Sequence, residues 1–453
     1  MLRGRANGLI LRRGHALLGS MEQLPVVIVG AGLAGLCCAR TLHRAGVAVR
    51  VFEQQDDIGG RVRTDVAGGY RFDRGFQVYL TAYEEGKRQL DYPALDLRPF
   101  EPGAGVYVGG SVQTVMDPWR RPGSLLDGAL AKVGTLGDKL RVGALRARLQ
   151  RQSAGGMYIR PEQTTLKYLQ AEGFSDVMID RFFRPFFGGI FLDESLATSS
   201  RMMEFVFRCF SLGDAAVPAL GMQQIPLQLA NGLPTECITL NSRVVAFDST
   251  AAAGPSGKVL ITLADGQQIS GRAIVNAGPD SLFLPRAQGV RGQLDRSWRK
   301  VVNFYFSGAG EAPFADKLLL LDGERGRLGP ITNVACMSGI SSHYAPAGRY
   351  LLSCSCIGAG TIPPTPEAAQ TQLATMFGES CARGLNLERT YEIPHALPDQ
   401  SAPCYVQPDW PVRVSPGVYA CGDTHDTASI DGALKSGRLA AEAILTDTVS
   451  AGR

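Results

Sequence analysis

The chain has 453 residues, 45% of them hydrophobic, and a formal net charge of +4. That length suits two domains, and that composition supplies a full apolar core, so a disordered or fibrous chain is excluded. All of the excess charge lies in residues 1–20, which hold four arginines and no acids; the remainder balances 42 basic against 42 acidic residues, which argues against nucleic acid as a partner.

The first twenty residues are Arg-rich and acid-poor and carry Leu9, Ile10, Leu11, Leu17 and Leu18. They fit an organelle transit peptide, or an extension upstream of a functional start at Met21, since Met21-Glu22-Gln23 leads straight into a strand-like run. Leu24 to Val29 reads as that strand. Gly30-Ala31-Gly32-Leu33-Ala34-Gly35 follows it and opens a helix that ends near Ala45, with Gly46 as its stop. A second strand ends at Glu53, next to Gln54. Gly30 permits the tight turn, Gly32 lets backbone approach a pyrophosphate, and Gly35 lets helix and sheet pack closely. The first-turn N–H groups, at Leu33 and Ala34, face the phosphates. Glu53 accepts hydrogen bonds from ribose hydroxyls and disfavours a 2′-phosphate. The unit is a dinucleotide-binding βαβ motif.

Gly59-Gly60-Arg61-Val62-Arg63-Thr64 comes next, then Tyr70-Arg71-Phe72-Asp73-Arg74-Gly75-Phe76-Gln77. A second glycine turn suits a cofactor that extends beyond the pyrophosphate, with bare backbone at Gly59 and Gly60 and a cation at Arg61. Residues 120–210 read as helical. Gly137 to Arg151 is basic and amphipathic, which fits a solvated helix face or contact with a membrane surface. Five phenylalanines between Phe182 and Phe191 fit either domain core or the wall of an apolar tunnel. Ile238 to Phe247 alternates like one strand, Val259 to Gln267 gives a strand and turn, and Ala273 to Gly278 ends another. Residues 296–400 read as strands forming a sheet over the cofactor. Near the end, Gly417 to Ala420 is a short apolar strand that runs into Cys421-Gly422-Asp423. A helix with small residues on one face (Gly432, Ala433, Ser436, Gly437, Ala440) follows.

The Gly30–Gly35 unit followed by Gly59-Gly60-Arg61-x-x-Thr64 resembles the flavin-containing amine oxidase superfamily, which includes amine oxidases, protoporphyrinogen oxidase and carotenoid desaturases. The resemblance implies an α/β fold: a Rossmann-like FAD-binding domain with an interleaved α+β substrate domain. It implies non-covalent FAD, since the Ser-Gly-Gly-Cys-Tyr context of a Cys-linked flavin is absent from the sequence. It further implies an adenine contact at Val244, a ribityl-phosphate contact at Asp423 after Gly422, and a helix N-terminus at Gly432 and Ala433 aimed at the flavin N1 and C2 carbonyl. There the helix dipole stabilises the charge of the reduced ring. Leu220-Gly221-Met222 is similar to a family Gly-Gly-Met turn, with Leu220 replacing the first glycine and putting close backbone approach there in doubt.

The expected FAD-binding domain is discontinuous (23–85, 215–290 and 410–448). The substrate domain takes 86–214 as its helical part and 291–409 as its sheet part, and 1–22 stands apart. Ten cysteines lack metal-site spacing, so no metal is expected and the thiols are read as reduced and mostly buried. Catalytic residues are not assigned: Lys300, Lys317, Tyr405, Trp410, Tyr419 and His425 are candidates by residue type alone. With no second glycine-triplet unit for a nicotinamide, oxygen or a quinone is the expected acceptor. The expected reaction is hydride removal from an apolar, isoprenoid-like or tetrapyrrole-like substrate. An amine oxidase, or an FAD-binding assembly protein without turnover, are the alternatives. A cytoplasmic or peripheral membrane location is expected, an organelle if residues 1–20 are a transit peptide.

Overall fold

The computed structural model describes residues 24–124, 131–249, 258–278, 297–314, 317–324, 327–357, 362–404 and 411–451. The expectations for residues 1–22, Tyr405 and Trp410 lie outside them.

Strand β1 (Val26–Val29) leads into helix α1 (Leu33–Arg44) and strand β2 (Val49–Phe52). β1 lies at the middle of a six-stranded sheet ordered Ile238–Thr239, β2, β1, Ala273–Asn276, Val418–Ala420, Arg413–Ser415. All pairings are parallel except the last. Val26, Val27 and Ile28 are fully buried, as a parallel strand covered on both faces must be. The register aligns Val29 with Phe52 and Asn276, and Asn276 with Ala420. Consequently Gly30, Glu53, Ala277 and Cys421, the residues just past those strand ends, emerge along one carboxyl edge of the sheet. In open α/β sheets that edge is where ligands bind. The C-terminal helix (Ile430–Ala451) packs across α1, and Gly437 makes the crossing close: a Cβ there would meet the Ala34 carbonyl oxygen at 2.3 Å.

A seven-stranded sheet forms the second layer, ordered Asn386–Pro398, Trp298–Ala309, Arg349–Cys356, Asn333–Cys336, Leu319–Asp322, Gly103–Val108, Ser111–Met116. Its outer face carries Phe304, Phe306, Leu352, Cys354 and Cys356 under Ala369 and Leu373 of a helix, Pro366–Phe377. That helix corrects the reading of 296–400 as strands throughout. Two strands of the sheet come from 103–116, ahead of the helical stretch. The inner face turns towards the two-stranded hairpin Thr64–Asp73, where the Tyr305 hydroxyl donates to the Asp73 carbonyl (2.9 Å) and the Tyr391 hydroxyl to Asp65 Oδ2 (2.6 Å).

Ile238 to Phe247 is two strands rather than one. Asn241 adopts a left-handed backbone (φ 52°), so the chain leaves the large sheet after Thr239 and starts a separate three-stranded sheet at Val244. The phenylalanine run is helical, with a π-helical turn over Ile179–Phe183. Phe183, Phe187 and Phe191 stack in sequence, with centroids 5.8 and 5.5 Å apart, and are core. Phe182 and Phe186 are only partly buried, against Ala104, Val106 and Leu321 of the second sheet.

Candidate cofactor site

The glycine triplet divides its tasks as the strand-turn-helix geometry requires. Gly30 holds φ at +100°, and a Cβ on Gly35 would lie 2.0 Å from the Gly30 carbonyl oxygen, so only glycine permits this helix-strand contact. Gly32 differs: its φ is −75°, and a Cβ there would meet nothing within 4 Å. The helix behind it receives no side-chain cap and has no acid in its first turn. Uncapped first-turn N–H groups beside open space are what a pyrophosphate needs.

The second glycine turn is fastened onto the first. Gly59 N donates to the Ala31 carbonyl (2.8 Å), and Gly60, at φ +59°, faces the Gly32 Cα. Arg61 thereby stands beside the open cradle. There it meets Asp423, 362 residues away, through a two-pronged ion pair at 2.8 and 2.6 Å. Arg61 is part-exposed and Asp423 buried. Gly422, at φ +142°, aims the aspartate, and Ser436 clamps the turn by accepting from the Gly422 N–H and donating to its carbonyl, each at 2.9 Å. The Trp298 ring lies 5.2 Å from the Arg61 guanidinium.

Glu53 is buried, with its oxygens accepting from Ala31 N (2.7 Å) and Gln55 N (2.9 Å). Two-oxygen carboxylates accept about four hydrogen bonds, so capacity remains for ribose hydroxyls. Gln54 is exposed beside it. Ser242 N donates to the Glu53 carbonyl (2.7 Å), which draws the start of the Val244–Asp248 strand to the same corner; Val244 itself is buried. Leu33 and Ala34 have buried side chains and can offer only backbone.

The helix start at Gly432 and Ala433 is held by its own preceding turn. Their N–H groups already donate to Ser429, to its Oγ (3.0 Å) and its carbonyl (3.0 Å) respectively. A Cβ on Gly432 would lie 2.0 Å from the Thr427 carbonyl, so that glycine serves close packing of the turn. Asp431 caps a distant helix, accepting from Gly86 N at 2.9 Å, and burial pushes its carboxyl up to about 6.

Around Thr64 lies a polar cluster that sequence reading missed. Asp73 accepts from Thr64 Oγ1 (2.6 Å), Met222 N (2.9 Å) and the Tyr344 hydroxyl (2.7 Å), and Gln223 exchanges hydrogen bonds with Thr64. Burial pushes Asp73 above the usual carboxylate range despite these donors. A signal was present: Gly68-Gly69 between two alternating runs marks a two-residue hairpin, which places Thr64 opposite Asp73. Close approach at the 220–222 turn falls on Gly221, where a Cβ would touch Thr64 at 2.6 Å, while Leu220 is exposed. Of the candidates named by type, Lys300 and Lys317 are exposed, Tyr419 is tied to Asp447, and His425 Nδ1 bonds Thr424. Cys421 is a buried packing residue. No group of three His, Cys, Asp or Glu suited to a metal occurs among the described residues.

Residues 33–445 match the family model described as flavin containing amine oxidoreductase. The chain belongs to that family. Its members are FAD-dependent oxidoreductases, and nothing here indicates covalent attachment of the flavin. The open Gly32 cradle, the uncapped α1 and the Arg61–Asp423 pair fit such a cofactor. Among solved structures, cyclohexylamine oxidase from Brevibacterium oxydans IH-35A superposes with a TM-score of 0.67, at 17% identity, over 94% of this chain and 99% of that one. An oxidoreductase from Methanosarcina mazei gives a TM-score of 0.70 at 16% identity over 92% and 100%. These likenesses establish the fold. In sequence, 1-hydroxycarotenoid 3,4-desaturase from Flavobacterium sp. (strain P99-3) is 47% identical over 53 residues, which cover 12% of this chain and only 11% of the desaturase.

Proposed function

We propose that this family member withdraws hydride from a C–H bond of an apolar substrate, isoprenoid-like or tetrapyrrole-like, and passes the electrons to oxygen or a quinone. The observation that carries this reading is the aromatic surface between the helical stretch and the second sheet. Phe182 and Phe186 lean on Ala104, Val106 and Leu321, and Phe186 meets Phe210 with centroids 5.2 Å apart. Apolar aromatic surface of this kind suits a hydrocarbon chain or ring held away from water. FAD, when bound, supplies the hydride-accepting N5. The chain's own residues hold and orient: Gly32 and the α1 N-terminus at the pyrophosphate, Arg61 and Asp423 along the ribityl-phosphate region, and Glu53 at the ribose.

The second reading is an amine oxidase, favoured by the fold shared with cyclohexylamine oxidase. Against it, both candidate lysines, Lys300 and Lys317, lie exposed at the surface. Anaerobic photometry of the FAD-loaded protein separates the readings. Bleaching of the flavin band by polyenes or porphyrinogens is the expected result. Bleaching by amines alone favours the second reading, and no bleaching by any substrate favours an FAD-binding assembly protein.

A further inference from the structure

The helix Leu136–Arg151 carries apolar side chains on its outward face as well as on its inward one. Leu145 and Leu149 are buried, but the outward stripe at i, i+4, i+8, i+11 is Leu136, Leu140, Ala144 and Ala147, with Leu136 66% and Leu140 70% exposed. Trp119, 55% exposed, lies over Gly143 on the same side; a Cβ there would touch its ring at 2.8 Å. Two of the helix's arginines turn inward instead. Arg146 pairs with Asp117, and Arg148 with Glu172 (2.7 Å) and the Tyr168 hydroxyl (2.6 Å).

We propose that this apolar stripe, with Trp119, seats the protein on an anionic lipid surface. Charge around the stripe selects the occupant. Arg141 and Arg151 are exposed beside it on the helix, and Lys132 is exposed in the segment leading into the helix. On the acidic side, Asp117 is neutralised by Arg146, and Asp138 is buried under hydrogen bonds from Thr135 and Ser175. Asp176, beside the exposed Val177, is the remaining acid of the neighbouring turn among the described residues. Apolar side chains framed by cations, with an indole at the rim, suit the headgroup-acyl boundary of an anionic leaflet. A second copy of the chain suits the face less well, because a two-fold contact sets a patch against itself and would oppose the same three cations. No helix among the described residues is long and apolar enough to cross a membrane, so the contact is one of lying on the surface. The inference is independent of which substrate is turned over.

The test is co-flotation of the full, FAD-loaded chain with vesicles of phosphatidylcholine alone and of phosphatidylcholine mixed with phosphatidylglycerol. Binding to the mixed vesicles is expected, with the Leu136→Ser/Leu140→Ser variant weakened by about tenfold or more, since each leucine forfeits its burial in the acyl boundary. Lys132→Ala/Arg141→Ala is expected to bind less steeply with falling salt. A thermal melt confirms that these exposed positions leave the fold intact. Absence of binding to mixed vesicles overturns the proposal, as does equal binding by the double serine variant. So does an oligomer in gel filtration that the double serine variant dissociates, which would make a second copy the occupant.

Discussion

At the residue scale, Gly32 and Gly35 lie three positions apart and answer to different constraints. Gly35→Ala drives a Cβ into the Gly30 carbonyl, so thermal or denaturant unfolding is expected to show a loss of about 1–3 kcal/mol or more, with or without FAD. Gly32→Ala meets no protein atom and has a permissive φ. The ligand-free melting temperature should hold, while FAD affinity, read by flavin fluorescence on titration, falls at least about tenfold, a loss of about 1.4 kcal/mol or more. Arg61→Ala leaves the Asp423 carboxylate buried without its cation. A charge-assisted hydrogen bond contributes about 1.5–3 kcal/mol, so the FAD dissociation constant should rise by roughly 10- to 100-fold. Asp431 gives a pH signature. Its folded pKa of about 6 lies above the ordinary aspartate value of about 3.9. The folded state therefore holds the proton more tightly, and this stabilisation is full below pH 4 and lost as pH rises through 6. Two units correspond to about 3 kcal/mol. Asp431→Asn should flatten the stability profile between pH 4 and 6, as followed by denaturant midpoints.

At the scale of single elements, Asp138 shows the opposite sign. Burial would raise its carboxyl, but hydrogen bonds from Ser175 and Thr135 prevail and hold it at about 2. Its contribution is present above pH 4 and lost as pH falls through 2. Since it closes a capping box on the helix Leu136–Arg151 and also fixes Ser175, Asp138→Ala should cost about 1–3 kcal/mol in denaturant unfolding. Elements set by local chemistry were legible in the sequence: β1, α1 and β2 follow from periodicity and glycine placement. The break at Asn241 was not, because alternation continues through it and only its left-handed backbone divides the strands. Gly432 is ambiguous in sequence for a related reason. A small residue at a helix start suits close approach by a ligand or by the chain's own backbone, and Thr427 turns out to be the neighbour.

For the whole molecule, the candidate cofactor segments separated along the chain converge because β2, β1, Ala273–Asn276 and Val418–Ala420 lie side by side in one parallel register. Motifs announce themselves in sequence; strand order across such a sheet does not. Motif spacing therefore named the cradle, while the Arg61–Asp423 pair and the Asp73 cluster emerged only from packing between distant segments. The helical stretch was least legible, since phenylalanines in a helix look alike whether they stack in core, as Phe183 and Phe187 do, or lean on the second sheet, as Phe186 does.

The Ser436 clamp on Gly422 carries a consequence for biosynthesis. Asp423 is aimed by a serine 13 residues further on, within the final helix. While that helix is still inside the ribosome, Arg61 has no anionic partner and α1 lacks its Gly437 neighbour. The nascent chain can build β1, α1 and β2 early, as domains do during synthesis, yet it cannot close the pocket until the helix Ile430–Ala451 has emerged and docked. Removal of the helix Ile430–Ala451 should therefore yield a protein that accumulates without its yellow colour.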